Sequence, residues 1–239
     1  MHDRAETLAC PNTRRYAGEM NPTTGVLGEA WELYKGHWKH LLTISFAVYA
    51  AVAVISLILS PLGWVGALIA TVISIVGLFW VQGALVEAVQ DIRDGRADLT
   101  VGATFARVRP HLVGIAIASI LAGIAVGVGL LLLIVPGLIL MTLWVLIVPV
   151  IVLENVPWSD SFGRSQSLVR GHAWSVFGVI VLTILLLIAF GIILGLILAA
   201  LPAGAQSFVS NLVSGALTAP FIALTWTLLY HRLLAAQSG

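Results

Sequence analysis

Two carboxylates and three histidines are, by type, the residues of this chain best suited to chemistry. Glu87 and Glu154 each close a long uncharged apolar run, and His37, His111 and His172 each stand just before one. Carboxylates and imidazoles together could ligate a metal, and either acid could act as a general base. Neither role is expected. There is no HExxH or other tight ligand spacing, so no metal and no cofactor is implied. An acid at the edge of an apolar run is expected instead to pair with a nearby base, here Arg107, Arg164 or Arg170. The stretch Gly163-Arg164-Ser165-Gln166-Ser167 is not a nucleophile elbow, because the closing glycine is missing and no strand precedes it. No catalytic residue is expected.

A different chemistry is open to the basic residues. Lys35, Arg109 and Arg170, helped by Arg107 and Arg164, would face anionic lipid headgroups if the apolar runs lie in a bilayer. Each such charge near the surface is worth about 1 kcal/mol.

The elements that must hold these groups follow from composition. Of 239 residues, 59% are hydrophobic and 10% charged, whereas soluble domains average about 25% charged residues. The mean hydropathy is +1.03. These values exclude a soluble enzyme, a nucleic-acid binder and a disordered regulator, and a net charge of +1 gives no sign of a polyanionic partner. Uncharged stretches run Leu41–Ser60, Leu62–Val86, Leu112–Val135, Leu138–Leu153, Val176–Leu201 and Phe208–Leu229. A helix of about 20 apolar residues spans the hydrocarbon, so six transmembrane helices are expected. The fourth stretch, Leu138–Leu153, is short and carries Pro149, so it must borrow residues from Pro136-Gly137 or Asn155.

Every charged residue falls before the first run, between the second and third, between the fourth and fifth, or after the sixth. The connections at Pro61-Leu62-Gly63, Pro136-Gly137 and Leu201 to Ser207 carry none. Basic residues beside spans stay cytoplasmic, which places both termini inside. The first 24 residues read as a disordered tail with no signal peptide, Met1 and Met20 both being candidate starts, and residues 234–239 as a cytoplasmic C-terminal tail.

One pattern recurs three times. Gly, six residues, a base, Gly or Pro, then His appears as Gly28…Lys35-Gly36-His37, Gly102…Arg109-Pro110-His111 and Gly163…Arg170-Gly171-His172. The following prolines, Pro61, Pro136 and Pro202, come 24, 25 and 30 residues after the histidines. The unit is read as a short amphipathic helix in the headgroup plane followed by a helical hairpin. Two crossings per unit return the chain to its starting side, so the repeats, about 25–90, 98–155 and 157–233, are parallel. Thr100 and Ser159 are the expected N-caps of the second and third short helices. Gly123 with Gly127, Gly191 with Gly195, and Gly114 with Ala118 and Ala122 offer small faces for close helix packing, and Gln82 and Asn211 are the expected interhelical hydrogen-bond formers.

Pro149-Val-Ile-Val-Leu-Glu154, then Arg164-Ser165, Leu168-Val-Arg-Gly171 and Trp174, resemble the repeat signature of the glycerophosphoryl diester phosphodiesterase membrane-domain family. The closing Leu229-Tyr230-His231-Arg232 resembles that family's last-helix ending, with His231 where the family has an acid. Over residues 21–233 the resemblance implies a six-helix bacterial membrane protein, and the soluble catalytic domain joined to some members has no counterpart among these residues.

The expectation is therefore an all-α polytopic protein of the bacterial plasma membrane, six helices in three parallel hairpin repeats, each led by an interfacial helix. Its expected role is non-enzymatic, as a lipid-associated or scaffolding protein with membrane lipids and a membrane protein as partners and no nucleic acid. The alternatives are a transporter or channel for a lipid or small amphiphile, and a membrane enzyme using Glu87 or Glu154 with an interfacial histidine.

Overall fold

The computed structural model describes residues 23–94, 101–199 and 203–238. Most of the expected N-terminal tail, Thr100 and Pro202 lie outside them. The described residues are helical with short breaks: α1 Val26–Leu59, α2 Gly63–Arg93, α3 Val101–Val108, α4 Leu112–Leu132, α5 Ile134–Trp144, α6 Ile147–Glu154, α7 Trp158–Val169, α8 Ala173–Leu198 and α9 Ala203–Ser238. Five segments are long and apolar enough to cross a membrane: Val26–Arg93, Gly102–Leu132, Ile134–Glu154, Ala173–Leu198 and Leu212–Gln237. The first is 68 residues long because α1 and α2 run on through a single 3-10 turn at Ser60–Leu62. Six stretches in the sequence thus become five continuous segments.

Helix breaks fall where glycine, proline or histidine interrupts the ladder. Within α1, His37 leaves helical geometry at φ −122° and ψ 20°, directly after Gly36. Pro110 sits in the 3-10 turn Arg109–His111 between α3 and α4. Between α7 and α8, Gly171 takes φ 92°, which a side chain would resist, and His172 caps α8 at φ −121° and ψ 14°. Proline also explains the division of α5 from α6. Pro149 lacks an N–H and its ring crowds the carbonyl four residues back, at Val145, where α5 ends.

Several local expectations change. The bend expected at Pro136-Gly137 lies instead at Leu133, extended at φ −154° and ψ 123°, and α5 begins at Ile134. Proline is tolerated in a first helical turn, so Pro136 enters the helix and the short fourth stretch gains a turn. Ser159 is not an N-cap. Pro157, extended at ψ 154°, takes that place and starts α7 two residues earlier, and its carbonyl accepts from the N–H groups of Asp160 and Ser161. The helix α9 continues through the expected C-terminal tail to Ser238, with the Gln237 amide donating to the Ser167 carbonyl at 2.6 Å.

Of the small faces expected, the one at Gly114, Ala118 and Ala122 is packed, Ala118 being fully buried with Ala122 against its cluster, whereas the paired glycines further along are not. A Cβ on Gly123, Gly127, Gly191 or Gly195 would meet nothing within 4 Å. A Cβ on Gly83 would strike Val108 and Ile115, one on Gly215 would strike Tyr49 at 2.5 Å, and one on Gly137 would reach the Leu130 backbone nitrogen at 2.5 Å. The two helices of the α4–α5 hairpin therefore touch backbone to backbone at Gly129 and Gly137.

One end of the molecule is well packed. There Ala30, Leu41 and Ile44 of α1, Ala84, Leu85 and Ala88 of α2, Val150 of α6 and Leu224, Leu228 and Leu229 of α9 are buried in a single cluster. Away from that cluster α4 and α8 expose large apolar side chains, among them Leu131 at 88% and Leu196 at 72%. Contiguous apolar surface on this scale is not left to water.

Gly137→Ala inserts a methyl group into backbone and should lower the thermal midpoint in detergent by several degrees, since overpacking costs about 1–3 kcal/mol. Gly191→Ala, in open space, should leave it unchanged or raise it slightly, alanine being the better helix former by about 1 kcal/mol. Scanning both variants by thermal unfolding checks the pair, and equal shifts would contradict the packing described.

Candidate functional site

The polar groups converge at the packed end, where three junctions between helices have the same make-up. At the first, α2 meets α3. The Glu87 carboxylate lies 3.9 Å from Arg107, whose side chain is 57% exposed. Trp80 packs edge-on against Phe105 at 5.5 Å, and its indole N–H donates to the Phe105 carbonyl at 3.4 Å. At the second, α6 and the end of α5 meet α7. The Arg164 Nε donates to both Glu154 oxygens, at 2.7 and 3.0 Å. Trp144 meets Phe162 edge-on at 5.1 Å, and the Ser165 hydroxyl donates to the Leu143 carbonyl at 2.7 Å.

At the third junction α9 meets the start of α1, and the signs of the charges are reversed. Arg232 on the late helix donates to Glu29 at 2.5 Å and to the Thr24 carbonyl. Phe221 packs edge-on against both Trp31 and Tyr34 at 6.5 Å, and the Tyr34 hydroxyl donates to the Leu217 carbonyl at 3.2 Å. Each junction therefore carries an ion pair, an edge-to-face aromatic contact and a side-chain hydrogen bond to backbone. The aromatic contacts are worth about 0.5–1.5 kcal/mol each beyond the area they bury.

Two contacts tie the junctions together. The Tyr230 hydroxyl on α9 donates to Glu154 at 2.9 Å, and His231 meets the Gln90 amide oxygen of α2 at 2.7 Å. Glu154 thus holds α7 and α9 at once. The same hydrogen bonds hold the Arg164 guanidinium above its ordinary pKa. Gln90, not Gln82, supplies the interhelical amide contact, because the last turns of α2 and α9 meet while Gln82 lies two turns back. The Asn211 side chain lies outside the described residues.

Among the residues singled out by the sequence, Glu87 and Glu154 are brought to Arg107 and Arg164. Lys35, Arg109 and Arg170 are exposed, and Lys35 lies 6.0 Å over the Trp31 ring. His37, His111 and His172 each mark a helix break, and among the described residues none is hydrogen-bonded or ion-paired to Glu87 or Glu154, although His111 stands near enough to Glu87 to interact with its charge. No group of three or more His, Cys, Asp or Glu side chains capable of holding a metal occurs among the described residues. The sequence reading missed Glu29–Arg232 and the Tyr230–Glu154 bond. The Tyr230-His231-Arg232 triplet was the available signal.

Comparison with known protein families, with characterised proteins and with solved structures yields no match.

Removing Glu154 strips Arg164 and Tyr230 of their shared acceptor. Glu154→Ala should cost on the order of 2–3 kcal/mol, the range for a partly buried charged hydrogen-bond partner left alone. Glu87→Ala, facing an exposed arginine across 3.9 Å, should cost less than about 1 kcal/mol. Denaturation of both variants in micelles measures the ranking, and an equal or inverted order would contradict it.

Proposed function

We propose that this chain is a non-enzymatic integral protein of a bacterial plasma membrane, serving as a lipid-associated scaffold. On this reading α1 after His37, α2, α4, α5 with α6, α8 and α9 make six crossings, and both termini face the cytoplasm. The carrying observation is the division of the molecule: ion pairs gather at one end, while long helices present apolar side chains over the rest. The exposed tryptophans Trp31, Trp38, Trp158 and Trp174 belong to short helices or first turns beside the charges, where amphipathic rings favour a headgroup layer.

Three parallel hairpin repeats are supported by the three helix breaks and the three junctions. The breaks fall at Lys35-Gly36-His37, Arg109-Pro110-His111 and Arg170-Gly171-His172. Each short leading helix docks on the returning helix of another hairpin, and the last docking closes the ring through Glu29 and Arg232. The resemblance to the glycerophosphoryl diester phosphodiesterase membrane-domain family agrees with this reading. A scaffold is favoured over a transporter by the solid apolar centre, in which Leu85, Leu146, Leu224 and Leu228 are buried together. It is favoured over an enzyme by the engagement of Glu154 with Arg164 and Tyr230, which suits a clamp.

Lys35, Arg109 and Arg170 then lie where anionic headgroups would sit. Replacing all three with Gln should reduce the anionic phospholipid retained through purification by about an order of magnitude or more, each charge contributing about 1 kcal/mol. Native mass spectrometry of wild type and variant measures this, and unchanged retention would overturn the lipid-associated role.

A further inference from the structure

Two apolar grooves open on the surface, one enclosing about 520 Å³ between α5 and α8 and the other about 710 Å³ between α1 and α9. They occupy corresponding places. Counted from His172, the first is lined by the residues one, two and five positions on, Ala173, Trp174 and Phe177. Counted from His37, the second is lined by the residues at the same offsets, Trp38, Lys39 and Leu42. The facing helices correspond as well. Ile139, Thr142 and Leu143 stand at the spacing of Val213, Ala216 and Leu217, and Leu143 and Leu217 are the two carbonyls that accept from Ser165 and Tyr34. At the α2–α4 junction the residues one and five positions after His111, Leu112 and Ala116, instead pack on the buried cluster of Phe79 and Ile115.

Both grooves are lined mainly by apolar side chains, and the hydroxyls of Thr142 and Thr43 are already spent on the Leu138 and Lys39 carbonyls. Both have an exposed tryptophan and a basic residue beside the helix break. Lys39 lines one, with exposed Lys35 a turn earlier, and exposed Arg170 stands three residues before Ala173 at the other. Among the described residues neither Arg170 nor Lys35 is in an ion pair. An apolar slot with a cationic mouth complements one kind of occupant, a long hydrocarbon chain ending in an anion.

The geometry points to both grooves as sites for an anionic phospholipid, one acyl chain lying in each slot and the headgroup over Arg170 or over Lys35 and Lys39. Volumes of several hundred cubic ångströms are in the range of small-ligand sites. This deepens the lipid-associated reading and rests on it, because it turns general retention into two defined positions.

The test uses the full chain in phosphatidylcholine nanodiscs doped with phosphatidylglycerol carrying a diazirine midway along one acyl chain. Crosslinked peptides are mapped by mass spectrometry. Label is expected at Phe177 and Ile139, and at Leu42 and Val213, several-fold above Ile192 and Val72, which are exposed apolar positions outside the grooves. Arg170→Gln, outside the packed core, should lower label at Phe177 about fivefold and leave Leu42 unchanged. Lys35→Gln with Lys39→Gln should do the reverse. Ala173→Phe should fill the α5–α8 groove and abolish label there while the thermal midpoint is kept. Labelling equal at grooves and control positions, equal labelling by a phosphatidylcholine probe, or persistence of label in Ala173→Phe would overturn the assignment. If the grooves stay unlabelled while the triple Gln variant still loses retained anionic lipid, the sites are wrong and the lipid-associated role stands.

Discussion

Hydrocarbon offers no partner to a charge or to an open peptide group. For a chain with 10% charged residues and long uncharged runs, that constraint governs the rest of the structure. It forces the backbone into helices, which satisfy their own N–H and C=O groups. It also favours charges held together at one end, where Glu87, Glu154 and Glu29 pair with Arg107, Arg164 and Arg232. Apolar helices in lipid gain nothing by hiding from solvent, so their association has to come from close packing and polar contacts. The structure meets that need in two places: at glycines that admit backbone or rings, such as Gly83, Gly137 and Gly215, and at the three polar junctions.

The junctions also account for how a chain with little buried area towards one end keeps a defined arrangement at the other. Tyr230 and His231 reach from the last helix to Glu154 and Gln90, so α9 is held to α6 and α2 by polar contacts and to α1 by Arg232. The packed cluster around Leu85 and Leu228 lies beside these contacts. With the charged end fixed, the helices beyond it are left to present side chains such as Leu131, Ile192 and Leu196 outward. On the proposed reading those side chains meet acyl chains, and the grooves beside α1 and α8 are where such contact becomes specific.

Some of this was legible in the sequence. Apolar run length, with the need of backbone in hydrocarbon to satisfy its own hydrogen bonds, gave long helices. The positions of Gly36, Pro110 and Gly171, each between a base and a histidine just before an apolar run, marked where a short helix would turn into a span. What failed depended on partners that one element cannot reveal. Gly123 and Gly191 have the spacing of a packing face, yet no neighbour approaches them, while isolated Gly83 and Gly215 do receive one. Pro136 read as a bend because proline often is one, but in a first helical turn it is tolerated, and Leu133 makes the reversal. The Glu29–Arg232 pair was hidden by distance along the chain and by its reversed polarity, since the pattern set by Glu87 and Glu154 leads one to look for an acid on the last helix.

The most direct test is of sidedness. With Cys10→Ser as background, Leu62→Cys would report the α1–α2 bend and Ser159→Cys the charged end, each probed with a membrane-impermeant maleimide on intact cells and then after permeabilisation. The expected result is labelling at position 62 in intact cells and at position 159 only once the membrane is opened. Labelling of both before permeabilisation, of neither, or of position 159 alone in intact cells would contradict the proposed sidedness.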